Sequence, residues 1–214
     1  MKRLGILCAC ILMVPLLGGW KIVSKEELVK IYEGEKLPEL SAKTYLEEGI
    51  RPYALKTAHP APEVLKAIDE DFDKACKAFG FRHSESAFPC NFWMEIKGSV
   101  VKLDTKSQSG RAWVLPEGVP PDAADEEAGT IILLIGPAID SMGPRDGYPE
   151  LKYEQFNDQT KFGAFGREIN RLLSDDIRAR VSDLEKGSMV DVIGVLSTWD
   201  KPWGNAEVVP VAFK

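Results

Sequence analysis

Apolar positions in the second half of the chain follow two different rhythms, and their order sorts the segment into elements. An apolar-rich run over residues 92–105 is followed by a short one over 111–115 and a third over 130–136. In the first run Phe92, Met94 and Ile96 share one face, whereas Val101 and Leu103 fall on the other parity. The inward set therefore slips by one near Gly98, which predicts a β-bulge and a bent strand serving two sides of a small sheet. Residues 131–135 are apolar at every position, so cover on both faces is expected. The period then changes to spacings of three and four, predicting a long amphipathic helix over residues 159–184. Strands over 188–198 and 206–213 complete the pattern, with Gly194 marking a second bend.

Three strands, a helix and two strands is the chain order of the OB-fold, a five-stranded, partly open barrel. The expected class is thus α+β: an OB-fold-like barrel (β-β-β-α-β-β) over 91–214, with a helical extension over 20–90 packed on it. Within the extension, Leu65, Ile68, Phe72, Cys76 and Phe79 recur at helical spacing and predict a single helix over 62–79. Gly80 stands where a C-cap glycine belongs. Ser24 with Glu27 gives a capping box for a short helix over 24–33. Residues 34–62 carry Pro38, Pro52, Pro60 and Pro62, and read as extended segments with a helical turn or two around 40–48.

The first nineteen residues change the compartment. Lys2 and Arg3 precede an apolar stretch over 4–17, and Gly18-Gly19 are the small residues that end an export signal. The stretch is short for a membrane span, which needs roughly 20 apolar residues; an uncleaved anchor through residues 4–20 is the other reading. The formal charge is −6, and removing residues 1–19 takes away Lys2 and Arg3 and no acid, leaving −8. Such a surface repels phosphate backbones, so no nucleic-acid partner is expected. An acidic stretch over 116–128 is read as a solvated loop.

Cys8 and Cys10 lie in the apolar stretch and leave with it, so Cys76 and Cys90 remain. Two readings are open for them: a disulfide in an oxidising compartment, or two buried thiols. The sequence has neither CxxC nor HExxH, and His59 and His83 are isolated, so no metal or cofactor is expected. Ser141 and Ser188 have no histidine in a motif with them, and no catalytic residues are assigned.

The densest cluster of polar and turn residues lies between the third strand and the long helix. Arg145, Asp146, Asn157 and Gln159 there are candidate ligand or partner contacts. The structural alternative pairs Arg145 with a nearby carboxylate and gives Asp158 or Asn157 the role of helix cap. Asn170 is read as a buried polar anchor. The connection of the last two strands holds Trp199 and Trp203, which either stack on a ligand or partner, or close the barrel and rest on the extension.

Several segments together resemble an uncharacterised bacterial family of predicted periplasmic lipoproteins. The matching pieces are Lys21-Ile22-Val23, Phe92-Trp93, Ile96-Lys97-Gly98-Ser99-Val100-Val101, Asp104-Thr105-Lys106-Ser107 with Gly110, and Ile135-Gly136-Pro137. Arg145-Asp146, Phe156-Asn157-Asp158-Gln159, Phe162, Asn170 and Lys186-Gly187 complete them. The resemblance implies a periplasmic, membrane-associated protein, often encoded beside sugar ABC transporter genes, with no assigned activity. Its shared polar residues fall here on Arg145, Asp146, Asn157, Gln159 and Asn170. One position departs from the pattern: where the lipid-bearing cysteine belongs, this chain has Trp20. The expectation is a non-enzymatic, exported binding module, accessory to a membrane transporter component. A small-ligand or carbohydrate binder is the alternative, and an OB-fold nucleic-acid binder, which the acidic charge disfavours, is the third.

Overall fold

The computed structural model describes residues 41–214 except Ser86, Ala123 and Trp203. The export segment, the membrane association through residues 4–20, Trp20 and the 24–33 helix lie outside the described residues, as does Trp203. Five strands build the barrel: β1 (Cys90–Asp104), β2 (Arg111–Pro116), β3 (Ile131–Leu134), β4 (Met189–Thr198) and β5 (Glu207–Phe213). β1 is long enough to pair antiparallel with two neighbours, β4 along Cys90–Ser99 and β2 along Gly98–Asp104. β2 continues to β3, β3 runs parallel to β5, and β5 returns to β4. The ring β1-β2-β3-β5-β4-β1 is therefore closed, in the OB-fold order. All five residues 131–135 are buried, as a strand covered on both faces requires.

The bulge sits three residues after the glycine expected to carry it. Phe92, Met94, Ile96 and Val100 keep one parity, and the register against β2 shifts between Val100 and Lys102, leaving Val101 as the extra residue. Gly98 answers a different need. A Cβ there would stand 2.1 Å from the Leu115 carbonyl oxygen, so only glycine lets β2 approach where β1 changes partners. The second bend is at its expected place: the β4–β5 register shifts between Ile193 and Gly194.

Among the described residues the barrel is accompanied by α1 (42–57), α2 (Ala61–Glu70), α3 (Phe72–Phe79), α4 (Gly143–Asp146), a 3-10 turn (Tyr153–Gln155) and α5 (Gln159–Val181). α5 begins where the Asp158 carboxylate accepts the amides of Thr160 and Lys161, and ends three residues before the expected limit. Phe162, Phe165, Ile169, Leu173, Ile177 and Val181, spaced three and four apart, form its buried stripe against the barrel core.

The extension departs from expectation in two places. Residues 42–57 form a continuous helical run, not extended chain. Its middle, Tyr45–Ile50, is wound as a π-helix immediately before Pro52. Pro52 has no amide proton, and the wider turn absorbs the missing bond and the ring. The helix expected over 62–79 is broken at Asp71, whose extended backbone ends α2 and whose carboxylate accepts the Lys74 amide to start α3. Ile68 and Cys76 of the apolar stripe are buried, with Leu65, Phe72 and Phe79 partly buried against the same core.

Gly80 caps α3 as expected, its amide donating to the Cys76 carbonyl, without a left-handed turn. Its backbone is extended and opens a two-residue pairing, Gly80 with Phe92 and Phe81 with Asn91. A Cβ there would lie 2.3 Å from the Cys90 sulfur, because Cys76 and Cys90 form a disulfide with Cα atoms 6.0 Å apart. His59–Pro60 adds a short parallel pairing to β1, and residues Glu39–Lys214 form one compact unit. The acidic connection over 116–128 also does more than solvate: Glu127 pairs with Lys102 at 2.6 Å and Glu126 with Lys186 at 2.7 Å. No helix of the described residues is long and apolar enough to cross a membrane.

Candidate functional site

After β3 the chain makes one short helix, α4, started by Pro144, and lays it against the barrel. Trp93 of β1 donates its indole N–H to the Gly147 carbonyl at 2.9 Å. Rings of Tyr45, Tyr53 and Tyr148 meet edge-on beside it, and burial pushes the Tyr148 and Tyr53 hydroxyl pKa values up. α4 reaches α5 at Gly166, where a Cβ would stand 2.7 Å from the Met142 sulfur and 3.1 Å from Arg145 Cδ. Nothing in the helical pattern of the sequence marked this glycine as more than filler.

Arg145 and Asp146 are both buried and face each other. Arg145 Nε donates to Asp146 Oδ1 at 2.6 Å, Nη2 to Oδ2 at 3.0 Å, and Nη1 to the Phe162 carbonyl at 3.2 Å. The guanidinium also lies over the Phe162 ring, 3.8 Å from its centroid. A two-pronged pair with a third acceptor is what two buried charges need to offset lost hydration.

This pair floors a cleft of about 450 Å³. One wall comes from the segment before β1, with Ala87, Phe88 and Pro89. Another comes from the 3-10 turn Tyr153–Gln155, which presents Tyr153 and Glu154, and the third from α5, with Gln159, Phe162 and Gly163. The volume is in the range of small-molecule sites, and the mixture of rings with a few fixed polar groups is their usual lining.

Of the candidate residues, Arg145, Asp146 and Gln159 meet in this cleft. Asn157 does not line it: it is exposed, with φ 49°, the left-handed conformation that asparagine tolerates best among non-glycine residues. Asp158, not Asn157, is the helix cap. Asn170 is a buried anchor, donating to the carbonyls of Ile139 at 3.2 Å and Ser141 at 2.7 Å. Trp199 is 59% exposed in the β4–β5 connection and away from the cleft; it does not close the barrel. Beyond it Lys201 pairs with Asp69 of α2.

Sequence reasoning missed Phe88 and Glu154. The aromatic-rich connection hinted at the turn that carries Glu154, but only the folded chain brings Phe88 across from before β1. His83, behind Phe88, was also passed over. Its ring meets Phe81 and Phe88 edge-on at 4.8 and 5.3 Å. Burial pushes its pKa down, with Asp146 and Glu154 pulling the other way. No cluster of potential metal ligands occurs among the described residues.

No curated protein matches the chain. A crystal structure of an OB-fold protein from Thermotoga maritima superposes with a TM-score of 0.58 at 18% identity, covering 82% of this chain and 98% of that one. At that identity the likeness is one of fold, and it agrees with the closed strand ring. A family model described as predicted periplasmic lipoprotein (DUF2291) matches residues 10–214, nearly the whole chain, and the protein belongs to that family.

Proposed function

We propose that this periplasmic protein is a non-enzymatic accessory of a membrane transport system, holding a transporter component at the Arg145–Asp146 cleft. The family places the chain in the periplasm. The observation that carries the reading is how the floor of the cleft is spent: Arg145 and Asp146 are buried, joined by two hydrogen bonds, and Arg145 is further committed to the Phe162 carbonyl. Groups held this way preorganise a surface for recognition and are poorly placed to shuttle protons. Tyr153, 39% exposed on the cleft wall, is the kind of aromatic side chain that anchors interfaces. The test is crosslinking in native membranes followed by identification of the product. A permease or a periplasmic solute-binding subunit should be captured by the wild type and lost with Tyr153→Ala. Capture of neither, or equal capture by the variant, overturns the proposal.

A second reading follows from Trp199, whose ring is largely open to solvent and free to stack on a sugar face. It requires free sugars to raise the melting temperature and quench tryptophan fluorescence, and Trp199→Ala to abolish the quench.

A further inference from the structure

One wall of the cleft is backed by a titratable ring, that of His83. His83 Nε2 is enclosed and has no hydrogen-bond partner among the described residues. The chain on either side of it is fixed: the fully buried Asn91 donates its amide to the carbonyls of Phe81 at 3.2 Å and Pro89 at 3.1 Å, and the Cys76–Cys90 disulfide clamps the base. Between these ties, Phe88 keeps its place through its amide, which donates to the Ser84 carbonyl at 3.1 Å, and through the edge of the His83 ring.

The charges that face the imidazole come from two elements. α4 supplies Asp146 and Arg145, and the 3-10 turn supplies Glu154 and Lys152. On its own segment, Arg82 is engaged with Glu85 at 3.2 Å and with Asp73 of α3 at 3.8 Å. Both Asp146 oxygens already accept from Arg145, so an imidazolium could take that carboxylate only by loosening the buried pair. The two carboxylates do not overcome burial, and the closed arrangement favours the neutral ring.

Resting on the reading of this cleft as the recognition site, we propose that His83 is its proton-operated latch. The neutral ring holds Phe88 in the cleft wall; a proton taken from solvent drives the ring out from between Phe81 and Phe88, and Phe88 leaves the wall with it. The closed form binds the proton less readily than the open one. Closure is therefore fully favoured above the ordinary imidazole value of about 6.5 and weakens as pH falls through it. The loss is complete once pH lies below the closed form's own, lower pKa.

His59 is the only other histidine, so the carbon-bound ring protons of both can be followed by NMR in the intact protein. Amide exchange, corrected for its intrinsic pH dependence, reports on Phe88. Its protection should fall about tenfold per pH unit below about pH 6.5, as one-proton linkage requires, while amides of β1 paired with β4 keep theirs. In His83→Phe, which keeps an aromatic ring, the Phe88 protection should be flat. Flat protection in the wild type, or the same slope in the variant, overturns the latch. If the variant does not fold, the wild type decides alone: the Phe88 ring resonances must move with the His83 midpoint, and a His83 titration that leaves them still overturns it. None of these readouts needs a partner, so a failed crosslink and a failed latch are separate results.

Discussion

Residues 104–110 with their neighbours 135–138, and the connection over 143–163, both carry aspartate, glycine and proline. In the first stretch these residues serve the backbone. Asp104 Oδ1 accepts the amides of Lys106 and Ser107, Ser107 Oγ accepts that of Gly110, and Gly110 turns with φ +47°. The amides of Ile135, Gly136 and Ala138 then donate to the carbonyls of Gly110, Ser109 and Gln108, so two glycines cross with no room for a side chain. Ser174 of α5 donates to the Gly136 carbonyl and ties the helix to the crossing. In the second stretch Pro144 starts α4 and Asp158 caps α5, leaving Arg145, Glu154 and Gln159 around open volume. Turn chemistry alone does not separate a fold device from a site. What separates them is whether backbone or side chains face the space that is left.

The largest expected effect breaks the second stretch. Asp146→Ala leaves the Arg145 guanidinium buried and unpaired, and such losses run about 3–5 kcal/mol. Urea unfolding of the variant measures it. Replacing both residues by apolar ones of similar volume should cost less than the single change, because the pair's attraction largely repays its own desolvation. A single-variant loss under about 1 kcal/mol would mean that the pair is hydrated and is not the floor of the cleft.

A smaller effect tests the first stretch. Gly136→Ala places a Cβ 2.3 Å from the Ser109 carbonyl carbon and 2.4 Å from the Gln108 carbonyl oxygen, so the crossing must open. Overpacking of this kind costs about 1–3 kcal/mol. Gln108→Ala, which removes an exposed side chain and leaves the carbonyl in place, should stay within about 0.5 kcal/mol. Thermal unfolding of the two variants separates a backbone crossing from a side-chain site, since a site would respond in the opposite order.

This contrast also explains what could be read before the fold was known. The five strands and the long helix were legible because short apolar runs bounded by turn residues give way to a clear spacing of three and four over the helix. The disulfide stayed open, since spacing alone cannot bring two cysteines within 6.0 Å, and the folded chain closes it. The break at Asp71 was hidden because Ile68, Phe72 and Cys76 keep helical spacing across it; aspartate as an internal cap was the one local sign. Gly98 was seen as special for the wrong reason: it admits β2, and the bulge falls at Val101. A glycine announces conformational freedom or close approach, and the sequence does not say which. The site was half legible: Arg145, Asp146 and Gln159 are near in sequence and meet, whereas Phe88 and His83 arrive through tertiary pairing that no local pattern encodes.

The smallest expected effect sharpens the comparison by adding a third turn-rich connection, between β4 and β5. If Trp199 closed the barrel, its removal would leave a cavity and cost about 3–5 kcal/mol, as a buried tryptophan does. With 59% of its surface exposed, Trp199→Ala should instead change stability by no more than about 0.5 kcal/mol. Most of the ring's apolar area stays in water in the folded state, so little burial is lost. The same variant decides whether that connection resembles the crossing or the cleft. Unchanged stability with unchanged crosslinking and no sugar response makes it a plain connection. Unchanged stability with either response lost makes its exposed indole a recognition surface separate from the Arg145–Asp146 floor.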